Sequence, residues 1–290
     1  MTPEYVVVGH CALDVQPDGS FLPGGTALYS ALTAARMGMR VGILTAGDPT
    51  AIAAALAPFD TSFAIHIVPA TATTTFENIP TPAGRKQTLH AWAGPILPDA
   101  LPTAWRRATV LHLGPIADEL PPDAWAEALV ADREGAWTIA TPQGWLRRWG
   151  TLPSPIRQET LRLPHRLLDR LSAMIISVEE RDAAEAAVRR VARHGLGAIT
   201  DGPLGVDILR RDATVRVPTF PVPMRDETGA GDVFAAAWAV GLARGEHPEI
   251  AARVACAAAS LSITAPGPHG IPTTAAIDAL LATNTDQATR

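Results

Sequence analysis

Hydrophobic residues follow two rhythms along this chain. Short β-branched runs, several of them ended by glycine, predict buried strands over residues 5–9, 41–45, 109–113, 137–140, 173–176 and 197–200. Between them, small and apolar residues recur at helical spacing over 26–37, 124–131, 179–194, 230–243 and 247–264, with Gly38 a natural stop for the first. Strand and helix in alternation predict a parallel sheet covered by helices. The stretch 63–93 breaks the rhythm. Residues 63–68, 73–77 and 86–92 read as strands, with a turn at Thr81-Pro82-Ala83-Gly84. Such a meander predicts a small sheet standing apart from the main one. Prolines 218 and 221 make 215–222 an edge strand or irregular.

Composition narrows the function classes. The 290 residues are 47% hydrophobic and 18% charged, a globular balance with a net charge of -5. That charge gives no global field to gather nucleic acid or an anionic membrane surface. Cys11 and Cys256 form no CxxC unit, which argues against a disulfide framework or a structural zinc site. The first residues carry no basic region, Val6–Val8 is too short for a signal segment, and 234–243 is too short to cross a bilayer. A cytoplasmic location is expected. His10, Cys11 and the tryptophans at 137, 145 and 149 read as core.

The most informative segment is Arg225-Asp226-Glu227-Thr228-Gly229-Ala230-Gly231-Asp232, which runs straight into a helix. Small residues let a ligand approach the backbone, and N–H groups at a helix start suit an anion. An acid there can accept a proton from an attacking hydroxyl. A bare Gly-Ala-Gly-Asp is also consistent with a tight turn and a helix cap.

The longer pattern, Asp-x-Thr-Gly-Ala-Gly-Asp before a small-residue helix, resembles the second signature of the ribokinase-like (PfkB) carbohydrate kinases. Gly24-Gly25 followed thirteen residues later by Gly38 resembles the first. Gly9 and Asp14, Gly47-Asp48, Gly84-Arg85 and the loop 200–205 fall in register, so the resemblance covers nearly the whole chain. It implies an α/β three-layer sandwich with a mostly parallel central sheet and a small β lid. The whole of 1–290 would be one domain, its lid formed by about 11–25 and 62–94. No G-x-G-x-x-G follows the first strand, which sets aside a dinucleotide-dependent oxidoreductase.

By the resemblance, Asp232 is the catalytic base and Gly229, Ala230 and Gly231 form the anion hole. Asp14, Gly24, Gly25, Tyr29 and Arg85 would bind substrate. Thr200, Gly202, Gly205, Thr228 and Cys256 would bind nucleotide. Glu180, in Ser177-Val-Glu-Glu180, would hold Mg2+ through water. The activity implied is ATP-dependent phosphorylation of a small polyol, with no nucleic-acid or membrane partner and a homodimer through the lid allowed. Tyr29 stands where sugar-specific members have Asn, and Ser177 and Cys256 also depart from the family's Asn. The segments 9–15, 73–77, 95–98 and 177–180 look like those of plant myo-inositol kinases, so a cyclitol is the expected acceptor. A furanose or nucleoside kinase, or a non-catalytic sensor of the same fold, stands as the alternative.

Overall fold

The computed structural model describes residues 2–59, 63–81, 84–129 and 135–288. Two sheets organise them. The larger has nine strands: β1 (Tyr5–Val8), β4 (Val41–Gly47), β5 (Ala64–Pro69), β8 (Val110–Leu113), β9 (Trp137–Ala140), β13 (Ala173–Ser177), β14 (Leu196–Thr200), β15 (Val206–Arg210) and β16 (Ala213–Val217). The order is β16-β15-β14-β13-β9-β8-β1-β4-β5, parallel except at β15 and β16. The smaller has order β11-β7-β6-β2-β3, built from β2 (Ala12–Val15), β3 (Phe21–Gly24), β6 (Thr75–Thr81), β7 (Gly84–Ala91) and β11 (Ser154–Pro155). A two-stranded ribbon, β10 (Arg147–Arg148) with β12 (Arg157–Gln158), lies beside it in the chain.

Strand burial explains the layers. β1 alternates between two cores, with Tyr5 and Val7 in one and Val6 and Val8 in the other. A parallel strand covered on both faces reads as an unbroken apolar run for that reason. On one face sit α1 (Thr26–Arg36), α2 (Pro49–Leu56), α7 (Ala230–Ala243) and α8 (Pro248–Ser262), all contributing to the first core, with Leu280 and Leu281 of α9 (Thr274–Ala288) packed on it. Trp125 of α3 (Pro122–Ala128), Leu146 of α4 (Gln143–Leu146), Leu167 of α5 (His165–Leu168) and Val188 of α6 (Arg181–Ala192) build the second. Each fully buried Val, Leu or Ile contributes about 1.5–3 kcal/mol. α7 is buried along most of its length because it is apolar nearly all round, with Asp232 its one charged residue. Its Gly241 lets α8 approach, since an added Cβ would stand 2.7 Å from that of Ala251.

The fold is ribokinase-like, as the motifs imply. One strand departs from expectation. Residues 64–69 join the main sheet as a parallel edge strand beside β4, not the small sheet. Their place in the lid is taken by β11, which pairs with β7 from far along the chain. The short run Ala64–Pro69 alone does not say which sheet will accept it. β15, unmarked by the sequence pattern, extends the main sheet by an antiparallel turn from β14.

Candidate active site

Neighbouring connections leave β1 in opposite directions: β4 lies on one side and β8 on the other. Such a switch in strand order opens a crevice at the carboxyl ends of the strands. Four of the predicted site residues, Glu180, Thr200, Gly231 and Asp232, line one cavity. A small cavity of about 80 Å³ is lined by Thr141, Gln143, Ser177, Glu180, Thr200 and Asp232, among others.

The floor is the start of α7. Gly229 caps it at φ 78°, a left-handed conformation, and an added Cβ would stand 2.3 Å from the Tyr29 ring. Gly231 is the opposite case. An added Cβ there meets nothing within 4 Å, so it would point into open space. Open space against the backbone at the start of a 14-residue helix leaves its N–H groups accessible to an anion. The preceding loop is anchored by Asp226, which accepts hydrogen bonds from Thr228 N (3.0 Å) and Gly267 N (2.7 Å).

Asp232 sits in the first turn of α7. Thr26, the first residue of α1, donates its hydroxyl to Asp232 Oδ1 at 2.8 Å. Burial pushes Asp232 up to about 6; the Thr26 bond and the Arg147 charge oppose this, and Glu180 adds to it. Glu180 is buried and also raised, by desolvation first. Its Oε2 accepts from Ser177 N at 2.8 Å, so the carboxylate caps its own turn at the cavity wall.

On the lid side, Asp14 Oδ1 accepts from Asn78 Nδ2 (2.8 Å), and Asn78 Oδ1 accepts from Gln87 Nε2 (2.8 Å). This polar chain crosses β2, β6 and β7. Gly24 makes room for it: a Cβ there would stand 2.6 Å from Asp14 Oδ2. Gly25, at φ 90°, caps α1 and passes close to His10 O.

Several expectations are corrected. Tyr29 is 2% exposed and its ring lies against Gly229, so it supports that turn instead of facing an acceptor. Cys256 is buried within the α7–α8 side of the core, its thiol pushed up to about 12, because α8 turns that face inward. Gly205 is buried too, and serves a close approach to Val217 O. Gly202 is exposed, Thr228 is half-buried, and Thr200 lines the cavity while bonding Ile176 O. The Arg85 side chain lies outside the described residues. His10 and Cys11 are buried, and Trp145 donates from its core position to Leu120 O.

Three residues at or near the site were not singled out in the sequence: Thr26, Asn78 and Arg147. Thr26 could have been found, since it follows Gly24-Gly25 directly. Arg147 comes from a short helix-to-ribbon junction that no periodicity marks. It is 6% exposed, donates Nη1 to Ile116 O at 2.7 Å and lies over the Phe76 ring at 5.4 Å.

Residues 168–274 match the model of the pfkB family carbohydrate kinases. That match covers the C-terminal part of the central sheet and the start of α7, where the chain is similar to the family. Ribokinase of Bacillus subtilis (strain 168) is 38% identical over 128 residues, 44% of this chain and 43% of that protein. The matched stretch thus spans under half the length of this curated relative. A pyrophosphate-dependent kinase of the ribokinase family, complexed with a pyrophosphate analog and myo-inositol, superposes with TM-score 0.77 at 21% identity, covering 91% of this chain and 96% of that one. Ribokinase of Arabidopsis thaliana with ribose and ATP gives 0.72 at 20% identity, covering 97% and 99%. These likenesses are of fold. Among the described residues, no helix is long and apolar enough to cross a membrane.

The two glycines of the turn separate by substitution. Gly229→Ala strains φ and strikes Tyr29, and should cost about 1–3 kcal/mol in thermal or denaturant unfolding. Gly231→Ala should melt within about 0.5 kcal/mol of the native chain and lose phosphate binding, read by calorimetry. Thr26→Val removes the hydroxyl that favours ionised Asp232. The Asp232 pKa should rise above about 6 in carboxyl NMR, and Thr26→Ser should restore it.

Proposed function

We propose that this chain is a small-molecule kinase in which Asp232 activates an acceptor hydroxyl and the start of α7 holds the donor phosphates. The single observation that carries this is Asp232, raised to about 6, beside the open cradle of Gly231. A general base works best with a pKa near the operating pH, and an anion at a helix start is held by preorganised N–H groups. In the step, the acceptor O–H gives its proton to Asp232. The acceptor oxygen then bonds the terminal phosphorus, and the bond from that phosphorus to the bridging oxygen breaks, its electron pair leaving on the rest of the donor. Gly229, Ala230 and Gly231 hold the charge that develops.

Glu180, on the cavity wall, would hold magnesium carried in by the donor through water, because that ion keeps several waters and is commonly bound by one or two carboxylates and phosphates. Among the described residues, no group of three or more His, Cys, Asp or Glu could hold a metal by itself. Bound with the donor, the ion neutralises phosphate charge.

The acceptor we infer is a cyclitol such as myo-inositol, with a furanose or nucleoside as the alternative. Tyr29 no longer supports the cyclitol, since its ring is against the turn. Support comes instead from Asp14, Asn78 and Gln87, which line up donors and acceptors across the lid as a ring of hydroxyls requires. The matched fold neighbour holds myo-inositol. The donor we infer is ATP. Pyrophosphate is a second reading: Cys256, the α8 residue assigned to nucleotide, is buried in the core, and the same neighbour is pyrophosphate-dependent.

A panel of ATP and pyrophosphate against inositol isomers, ribose, fructose and adenosine, read by phosphorylated product, tests this reading. A kcat/KM for ribose, fructose or adenosine well above every inositol isomer overturns the cyclitol. No product with any pair overturns the kinase. With an active pair, kcat/KM should fall on the acid side with a midpoint near 6, as Asp232 protonates.

Asp232→Asn should lower turnover about 100- to 10,000-fold. It should also melt higher. Burial raises the pKa from 3.8 to about 6, so ionising Asp232 costs folding free energy that appears as pH climbs through that window. At pH 7.5 Asn escapes a cost on the order of 1–3 kcal/mol, and the difference should vanish near pH 4. Equal melting at both pH values would exclude a desolvated carboxylate at 232.

A further inference from the structure

A chain of hydrogen bonds that the transfer step does not use runs from the cavity into the core. Thr141 directly follows β9, is 7% exposed and lines the cavity with Glu180, Gly231 and Asp232. Its Oγ1 lies 3.0 Å from Nε2 of His112, on β8. The other ring nitrogen, Nδ1, lies 2.8 Å from the hydroxyl of Tyr5, on β1. Tyr5 and His112 are fully buried. The links come in order from β1, β8 and the end of β9, which are neighbours in the sheet. Gly114 leaves room at the outer end, where an added Cβ would stand 2.5 Å from Thr26 Cγ2 and 3.5 Å from Thr141 Oγ1. The chain therefore ends beside the residue that holds Asp232.

The direction of each bond follows from the partners. A fully buried imidazole with two hydroxyl neighbours and no acid among its hydrogen-bond partners is neutral, and burial pushes its pKa down to about 3. It carries one N–H, so one nitrogen donates and the other accepts. A phenol is more acidic than an alcohol and is the better donor of the two hydroxyls. The Ser30 hydroxyl near Tyr5 makes no hydrogen bond, which leaves His112 as the partner of the phenol. Tyr5 thus donates to Nδ1, and the ring proton sits on Nε2 and is donated to Thr141 Oγ1. The proton of Thr141 itself remains. It stands at the cavity wall, and no acceptor among the described residues takes it. A buried donor without an acceptor is costly, and a ligand that accepts there removes the cost.

We propose that Thr141 donates its hydroxyl proton to an oxygen of the donor's phosphate, and that the buried His112–Tyr5 pair fixes Thr141 as a donor. This rests on the kinase reading above. The phosphate is the ligand of choice because Gly231 and Glu180, the donor side of that reading, line the same cavity. An ionised phosphate oxygen accepts hydrogen bonds and gives none. A hydroxyl free to rotate could present its lone pairs to that oxygen, whereas one already accepting from Nε2–H has its proton left for the cavity. The donor is set before the ligand arrives. Thr141 keeps its hydrogen throughout and exchanges no bond. His112 and Tyr5 act through Thr141 and are positioning residues.

The alternative is that the three side chains only satisfy one another, with Nδ1–H donated to Tyr5 and the Thr141 proton spent on Nε2. The His112 tautomer separates the two without any turnover. NMR of isotope-labelled imidazole nitrogens, with the signal assigned by its loss in His112→Gln, should show hydrogen on Nε2 and a bare Nδ1. Hydrogen on Nδ1 would overturn the proposal. Thr141→Val keeps the shape and removes the hydroxyl. It should weaken inorganic phosphate at least about 10-fold by calorimetry and raise donor KM, with acceptor KM within about 3-fold. Thr141→Ser, which restores the hydroxyl, should bind phosphate within about 3-fold of native. Tyr5→Phe should weaken phosphate several-fold in the native background and have no effect in Thr141→Val.

Native phosphate affinity in Thr141→Val would sink the assignment, and so would an equal effect of Tyr5→Phe in both backgrounds. If Thr141→Val does not fold, the tautomer and Tyr5→Phe decide, and native affinity in Tyr5→Phe overturns the coupling. If Tyr5→Phe does not fold, the tautomer and Thr141→Val decide in the same way. A native chain that binds phosphate but turns over no donor and acceptor pair ends the kinase reading by itself. The titrations then still judge Thr141 as an anion ligand. A native chain that binds no phosphate overturns that role.

Discussion

One hydrogen bond, from the hydroxyl of Thr26 to the carboxylate of Asp232, joins residues 206 positions apart and sets the geometry of the site. Thr26 begins α1 one residue after lid strand β3, and Asp232 lies in the first turn of α7. Both helices therefore start at the same crevice, and both of the glycines that cap them have positive φ, with Gly229 alone left-handed helical. Tyr29, one turn along α1, packs against Gly229 and fixes the second turn against the first helix. The two signatures are distant in sequence and a single packed unit in space.

That unit carries an electrostatic load. Asp232 and Glu180 are both desolvated, and both are shifted toward the protonated form by burial. A protein selected for stability alone would not place two acids at the end of an apolar sheet. The Thr26 hydroxyl, the Ser177 amide and the Arg147 charge each favour ionisation and offset part of the cost. The tuning is local. Asp18 and Asp169, at the surface, are shifted the other way by their own hydrogen-bond partners.

Much of this was legible in the sequence because it rests on local rules. The apolar run at Tyr5–Val8 could only be a strand covered on both faces. The Ala-rich stretch at Ala230–Ala243 is a helix within a residue of its sequence bounds. Gly229 and Gly231 were marked by type, although only the structure separates their jobs. What stayed hidden depends on long-range partners. Whether Ala64–Pro69 joins the main sheet or the lid is decided by the free edge of β4. Whether Tyr29 faces a ligand or the core depends on a turn 200 residues later. Arg147 lies in a junction of too few residues to show any period, so its partners Phe76 and Ile116 could not be paired with it in advance.

The way the small sheet is tethered has a mechanical consequence. Its strands come from three separate stretches of chain: 12–24, 75–91 and 154–155. A flap made from one hairpin can swing through a wide arc about two adjacent ends. A plate fastened at three places cannot, because rotation about any two tethers is checked by the third. Its natural displacement is a shallow tilt or shear, which moves every tether by a little. The third tether is the excursion that begins at Arg147. Tilting this plate thus shifts a buried charge along with it, and access to the crevice and the local field within it change together.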